Sequence, residues 1–256
     1  MSDIPEVVKN TLLGLHEAVR EDFTRNRRVM SFQEYLALAF AEPTRQLRSS
    51  TQYIVDCFDY YGSEQVSYPW GDVTRFKLFD APWDGGEDRL FGQENVQNQV
   101  YKVLRTFVQD GRPNKLILLH GPNGSAKSTF VRCLGRGLEH YSTLDEGALY
   151  RFSWIFPAQK STRGGIGFGG NPTIESLDSF AYLPDDQIDA RLGDELRDHP
   201  LLLIPLDERQ KLLGKLLEGK NFNVSDYLRG GSLSPRNKAI YDALLASYMG
   251  DYVQVL

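Results

Sequence analysis

The chain has 256 residues, 41% of them hydrophobic and 25% charged, with a formal net charge of −5. That length and balance suit a globular protein able to bury a core, and the negative charge excludes a global field that would draw in nucleic acid or an anionic membrane. No apolar run approaches the length of a membrane span, and Met1-Ser2-Asp3-Ile4-Pro5 has neither the basic nor the apolar region of a secretion signal.

Residues 5 to 28 read as a helix, with Pro5 in its first turn and Val7, Val8, Leu12, Leu13, Leu15 and Val19 at helical spacing. Ser31-Phe32-Gln33-Glu34 is a capping box that opens a second helix through about Ala41. A third helix runs from Ser50 to Tyr61 and ends on Gly62. Cys57 lies among its aromatics and reads as a core residue. The other cysteine, Cys133, stands in no metal or redox spacing with it, so reduced thiols are expected. Residues 65 to 86, rich in Gly, Pro and Trp, read as a loop with a short strand at Phe76 to Phe79, and mark a boundary between a helical N-terminal region (1–75) and a second domain (76–256).

Arg89-Leu90-Phe91-Gly92-Gln93-Glu94 leads into a helix carrying Val96, Val100, Val103, Leu104 and Phe107. After the break at Asp110-Gly111-Arg112-Pro113 comes the most informative stretch. Leu116 to Leu119 reads as a buried strand, followed by Gly121, Pro122, Asn123, Gly124, Ser125, Ala126, Lys127, Ser128 and Thr129, then a helix through Phe130, Val131, Leu134 and Leu138. Strand, glycine-bearing turn, Lys-Ser and helix make the pattern of a phosphate-binding loop. Its backbone N–H groups would converge on an anion, and the helix start adds the positive end of its dipole. Lys127 would reach the β- and γ-phosphates, and the Ser128 hydroxyl would hold Mg²⁺. The last glycine of the usual pattern is replaced by Ala126, which takes positive φ at greater cost.

Downstream, Leu149 to Phe156 reads as a strand with Tyr150, Phe152, Trp154 and Phe156 on one face. Gly165, Gly167 and Gly170 formally match G-x-G-x-x-G, but neither a following strand lysine nor a strand-and-helix context accompanies them, and a surface loop bearing Lys160 and Arg163 is the better reading. Leu201 to Glu208, four apolar residues before an Asp-Glu pair, has the look of a Walker B strand. Pro205 opposes that reading and favours a helix over 206 to 218, with Asp207 and Glu208 at its positive end. Asp185, Asp186, Asp189, Asp194 and Glu195 read as solvated or helix-start acids. Ser234-Pro235 opens a last helix that closes on Gly250, and residues 252 to 256 read as a strand broken off at the end, as in a fragment of a longer chain.

Taken in order, SFQEYL (31–36), FDYYG (58–62), RFKLFDAPW (75–83), LFGQE (90–94), the phosphate loop, ELRDHPLLLIP (195–205) and SPRNKAIYDALLASYMGDY (234–252) resemble the PrkA-type bacterial serine protein kinases. The resemblance implies an α/β fold, a P-loop NTPase of AAA+ type behind a helical N-terminal region. It implies ATP and Mg²⁺ as cofactors, Gly92 and Gln93 beside the adenine, a cytoplasmic location and homo-oligomeric rings. The acidic motif, sensors and kinase-like region of such proteins lie beyond these residues, and neither H-R-D nor D-F-G occurs here. The activity expected is phosphoryl transfer or ATP-driven conformational work, on a protein substrate the sequence does not identify and without nucleic acid or membrane. The alternative is a nucleotide-gated scaffold with little or no turnover.

Overall fold

The computed structural model describes residues 14–17, 19, 29–158 and 179–256. The expected helix over 5 to 28 falls largely outside them, although 14–17 and 19 are helical, and the glycine-rich stretch at 160–172 falls wholly outside. Contacts group the chain into two compact units, Leu36–Trp154 with Gly193–Leu256, and Met1–Tyr35 with Ile155–Leu192.

Helix α1 (Phe32–Ala41) begins at the capping box. The Glu34 N–H donates to Ser31 Oγ (3.2 Å), and Glu34 Oε2 accepts the Ser31 N–H (2.7 Å). Tyr182 donates its hydroxyl to the same Glu34 oxygen, at 2.7 Å. That bond and those from Ser31 hold the Glu34 carboxyl below its ordinary pKa.

In the larger unit a single turn, α2 (Pro43–Gln46), leads to α3 (Ser50–Tyr61). Ser49 Oγ caps α3 by accepting the Gln52 N–H at 3.1 Å, and Gly62 closes it at φ 77°, a left-sided conformation that favours glycine. The next segment departs from expectation. Strands β1 (Ser63–Tyr68) and β2 (Gly71–Phe76) form an antiparallel hairpin with Ser63 opposite Phe76 and Tyr68 opposite Gly71. Phe76 to Phe79 is therefore no separate strand: Phe76 ends β2, and Lys77–Asp80 is a turn of 3₁₀ helix. Helix α4 (Glu94–Asp110) buries Gln97, Val100, Leu104 and Phe107 and stops at Gly111, φ 71°. Helix α5 (Lys127–Thr143) buries Phe130, Cys133, Gly137 and Tyr141.

These elements share one aromatic core. The Phe58 ring meets Phe76, Phe79 and Tyr101 at centroid distances of 5.1, 5.6 and 5.6 Å, and Phe79 stacks on Phe130 at 4.9 Å. Phe58 from α3 thus packs with residues of α4 and the turn after β2, so the expected division at 75/76 runs through a continuous core. Both cysteines are buried in it, and burial pushes their thiols up, to about 12 for Cys57 and about 11 for Cys133. They are packing residues, held far from the reactive thiolate form.

Strand β3 (Ser153–Pro157) is shorter than the stretch expected from the aromatic alternation, and pairs with β4 (Ile188–Gly193) as a second two-stranded sheet. The apolar run Leu201–Ile204 is buried, but as a 3₁₀ turn over Pro200–Leu203. Pro205 is the N-cap of α6 (Leu206–Leu216), so the Walker B reading is lost to the helix. Asp194 is buried, unlike the solvated acid expected: its carboxylate accepts the backbone N–H groups of Leu196 and Asp198. A short α7 (Asp226–Gly230) and α8 (Pro235–Ser247) follow. Residues expected as a final strand form one helical turn, α9 (Tyr252–Val255), because the Asp251 carboxylate accepts the N–H groups of Val253 and Gln254. No helix among the described residues is long and apolar enough to cross a membrane.

Candidate functional site: the loop at the start of α5

The loop from Gly121 to Ala126 is shaped by its own hydrogen bonds. Ser125 donates its hydroxyl to Pro122 O at 2.8 Å, and a side chain at Gly121 would bring its Cβ within 2.9 Å of that Ser125 oxygen. A side chain at Gly121 would therefore displace the Ser125 hydroxyl from its place in the turn. Gly124 sits at φ 79° and Ala126 at φ 59°, ψ 18°. The alanine thus occupies the left-handed region, where a Cβ costs roughly 1 kcal/mol relative to glycine.

Helix α5 starts directly from this turn. Ala126 is its N-cap and supplies no side-chain bond, and the first N–H with a backbone acceptor is that of Phe130, on Ala126 O at 2.8 Å. Among the described residues the N–H groups of Lys127, Ser128 and Thr129 have no protein acceptor, as expected for the first turn of an uncapped helix. Lys127 folds back over the loop. Its Nζ donates to Gly121 O (2.8 Å), Pro122 O (2.7 Å) and Ser125 Oγ (3.0 Å). All three partners are uncharged, so the ammonium charge is not neutralised by them.

The structure therefore brings together Gly121, Pro122, Ser125, Ala126 and Lys127, with Asn123 and Gly124 forming the exposed tip and Ser128 and Thr129 in the first turn of α5. Free N–H donors, a helix of 17 residues and an unneutralised lysine suit a phosphate group. Ser128 is exposed on that first turn.

The expected strand before the loop is not formed. Leu116 is 88% and Leu118 77% exposed, and residues 116–120 have no strand partner among the described residues. Both sheets among the described residues are two-stranded, and neither contains this segment. Gly92, at φ 74°, and Gln93, the N-cap of α4, stand in the turn before that helix. There Glu94 Oε1 accepts the Gly92 N–H (3.3 Å) and the Tyr68 hydroxyl (3.2 Å). Asp207 and Glu208 lie exposed on the first turn of α6, and Glu208 pairs with Lys211 at 2.7 Å. No group of His, Cys, Asp or Glu among the described residues could hold a metal ion. Comparison with protein-family models, with curated proteins and with solved structures finds no match for this chain.

Proposed function

We propose that this chain binds Mg-ATP through residues 121–129, as the nucleotide-binding module of a PrkA-type AAA+ protein. The observation that carries the reading is the convergence at the start of α5: among the described residues, three N–H groups without a protein acceptor, and an ammonium held by neutral oxygens. On binding, Lys127 exchanges its bonds to Gly121 and Pro122 for the β- and γ-phosphates. The N–H groups of Lys127, Ser128 and Thr129 receive phosphate oxygens at the positive end of the helix. Mg²⁺ would supply charge neutralisation for the phosphates, and the Ser128 hydroxyl would be the protein oxygen that holds it. Gly92 and Gln93 are assigned to the adenine by resemblance, and so are the cytoplasmic location and homo-oligomeric assembly.

A second reading, a nucleotide-gated scaffold with little turnover, is favoured by one observation. Asp207 and Glu208, the acids offered as a Walker B pair, lie exposed on the first turn of a helix and do not end a buried strand. Titration calorimetry with Mg-ATP, paired with steady-state phosphate release, separates the two. Binding with release supports the enzyme, binding without release supports the scaffold, and absence of binding refutes both.

A further inference from the structure

The larger unit contains a second place suited to anions, away from every residue assigned above. A cavity of about 790 Å³ is walled by the start of α3, the segment after α4, residues 149–151 and the stretch from Arg197 to Leu228. Its volume lies within the range of small-molecule sites. Four arginines line it, Arg48, Arg112, Arg151 and Arg197, against a single carboxylate, Asp226. These cations come from distant parts of the sequence, and no motif announces them.

Arg48 is a fixed wall. Its side chain is 1% exposed and donates to Arg45 O (2.9 Å), Tyr141 Oη (2.9 Å) and Glu146 O (3.0 Å). The other three guanidinium groups differ. Arg112, Arg151 and Arg197 are exposed, and among the described residues none is in an ion pair. Arg197 is held at φ 55°, a left-handed conformation that is uncommon for a side chain of this size. The start of α3, 12 residues long, also faces the cavity and adds its positive end. His199 brings no charge to the wall near neutral pH, because burial pushes its imidazole down to about 4. Tyr150 and Tyr227 supply flat apolar surface beside the cations.

We propose that this cleft binds a small phosphate-bearing molecule, with the guanidinium groups of Arg112, Arg151 and Arg197 receiving its anionic oxygens. Three planar donors facing one acid fit a group carrying more than one negative charge, and arginine meets phosphate with two parallel bonds. The site stands independently of the loop at α5, because it shares no residue with it.

The test is titration of the full chain with inorganic pyrophosphate, in wild type, in Lys127→Ala, and in Lys127→Ala carrying in addition Arg112→Gln, Arg151→Gln and Arg197→Gln. The expected result is binding that survives Lys127→Ala and weakens about tenfold per arginine replaced, from the usual strength of a charge-assisted bond. Urea midpoints check the folding of each variant. If the variant with all these changes is unfolded, Lys127→Ala with Arg151→Gln alone decides by the same tenfold criterion. Affinity unmoved by the arginine changes, binding abolished by Lys127→Ala alone, or no binding at ~10 mM pyrophosphate would each overturn the proposal.

Discussion

Lowering the pH from 7 should destabilise the larger unit through His199, and the size of the effect can be worked from its surroundings. The imidazole sits at the N-cap of the Pro200–Leu203 turn. Its Nδ1 accepts the Leu201 N–H at 3.2 Å, so the proton is on Nε2, which donates to Gln46 O at 2.9 Å. The Leu201 bond requires the neutral ring, whereas the bond to Gln46 O would survive protonation. Burial, reinforced by the nearby Arg209 charge, pushes the pKa from 6.5 down to about 4, against a smaller upward pull from the Gln46 carbonyl. Between these values the unfolded chain binds a proton that the folded chain refuses, so stability rises with pH. The contribution is complete above pH 6.5 and is lost as pH falls toward 4. Its slope approaches 1.4 kcal/mol per pH unit inside the window, and the whole is worth ~3 kcal/mol. Urea unfolding of wild type and His199→Asn at half-unit steps from pH 4 to 7.5 measures it. The variant should lose this part of the slope, whatever its stability at pH 7. Equal slopes in the two proteins would refute the reasoning.

Three further outcomes follow from single contacts. Ala126→Gly removes a Cβ from the left-handed position before α5, and should raise stability by about 1 kcal/mol in urea unfolding. Gly137→Ala would place a Cβ 2.5 Å from Leu78 Cδ1 and 2.9 Å from Trp83 Cη2, so calorimetric melting should show a loss of roughly 1–2 kcal/mol despite the better helix propensity of alanine. Asp198→Ala should cost ~2–4 kcal/mol in urea unfolding, because Asp198 Oδ2 accepts the Ser234 N–H at 2.7 Å and the Asn237 amide at 2.8 Å, and without it the half-buried Ser234 donor and the buried Asn237 donor would lose this acceptor.

Helix positions were the legible part of this sequence, because their ends are set by local chemistry. The Ser31–Glu34 box, the Ser49 cap with Gly62, Gly111, and Pro205 with Asp207 each act within a few residues of themselves. Strands were less legible, because a strand exists only through its partner. The β1–β2 hairpin is largely polar and only half exposed, without the apolar alternation that marks a half-buried strand, and Pro69-Trp70 looked like one more loop signal. The reverse holds at Leu116 to Leu119, where the composition is that of a strand but no backbone among the described residues pairs with it. The glycine turn and Lys127 could be named as a candidate site from their order alone. The backbone angle of Ala126 and the retreat of Lys127 onto Gly121 and Pro122 required coordinates.

The central claim is that the start of α5 takes the phosphates of ATP, and equilibrium binding of Mg-ATP to wild type and to Lys127→Ala tests it most directly. Removing a charge-assisted phosphate contact of ~1.5–3 kcal/mol should weaken binding by between tenfold and a hundredfold or more, with the urea midpoint little changed because Lys127 bonds only to its own loop. Equal affinity in the two proteins would contradict the assignment of Lys127 and of the loop it closes.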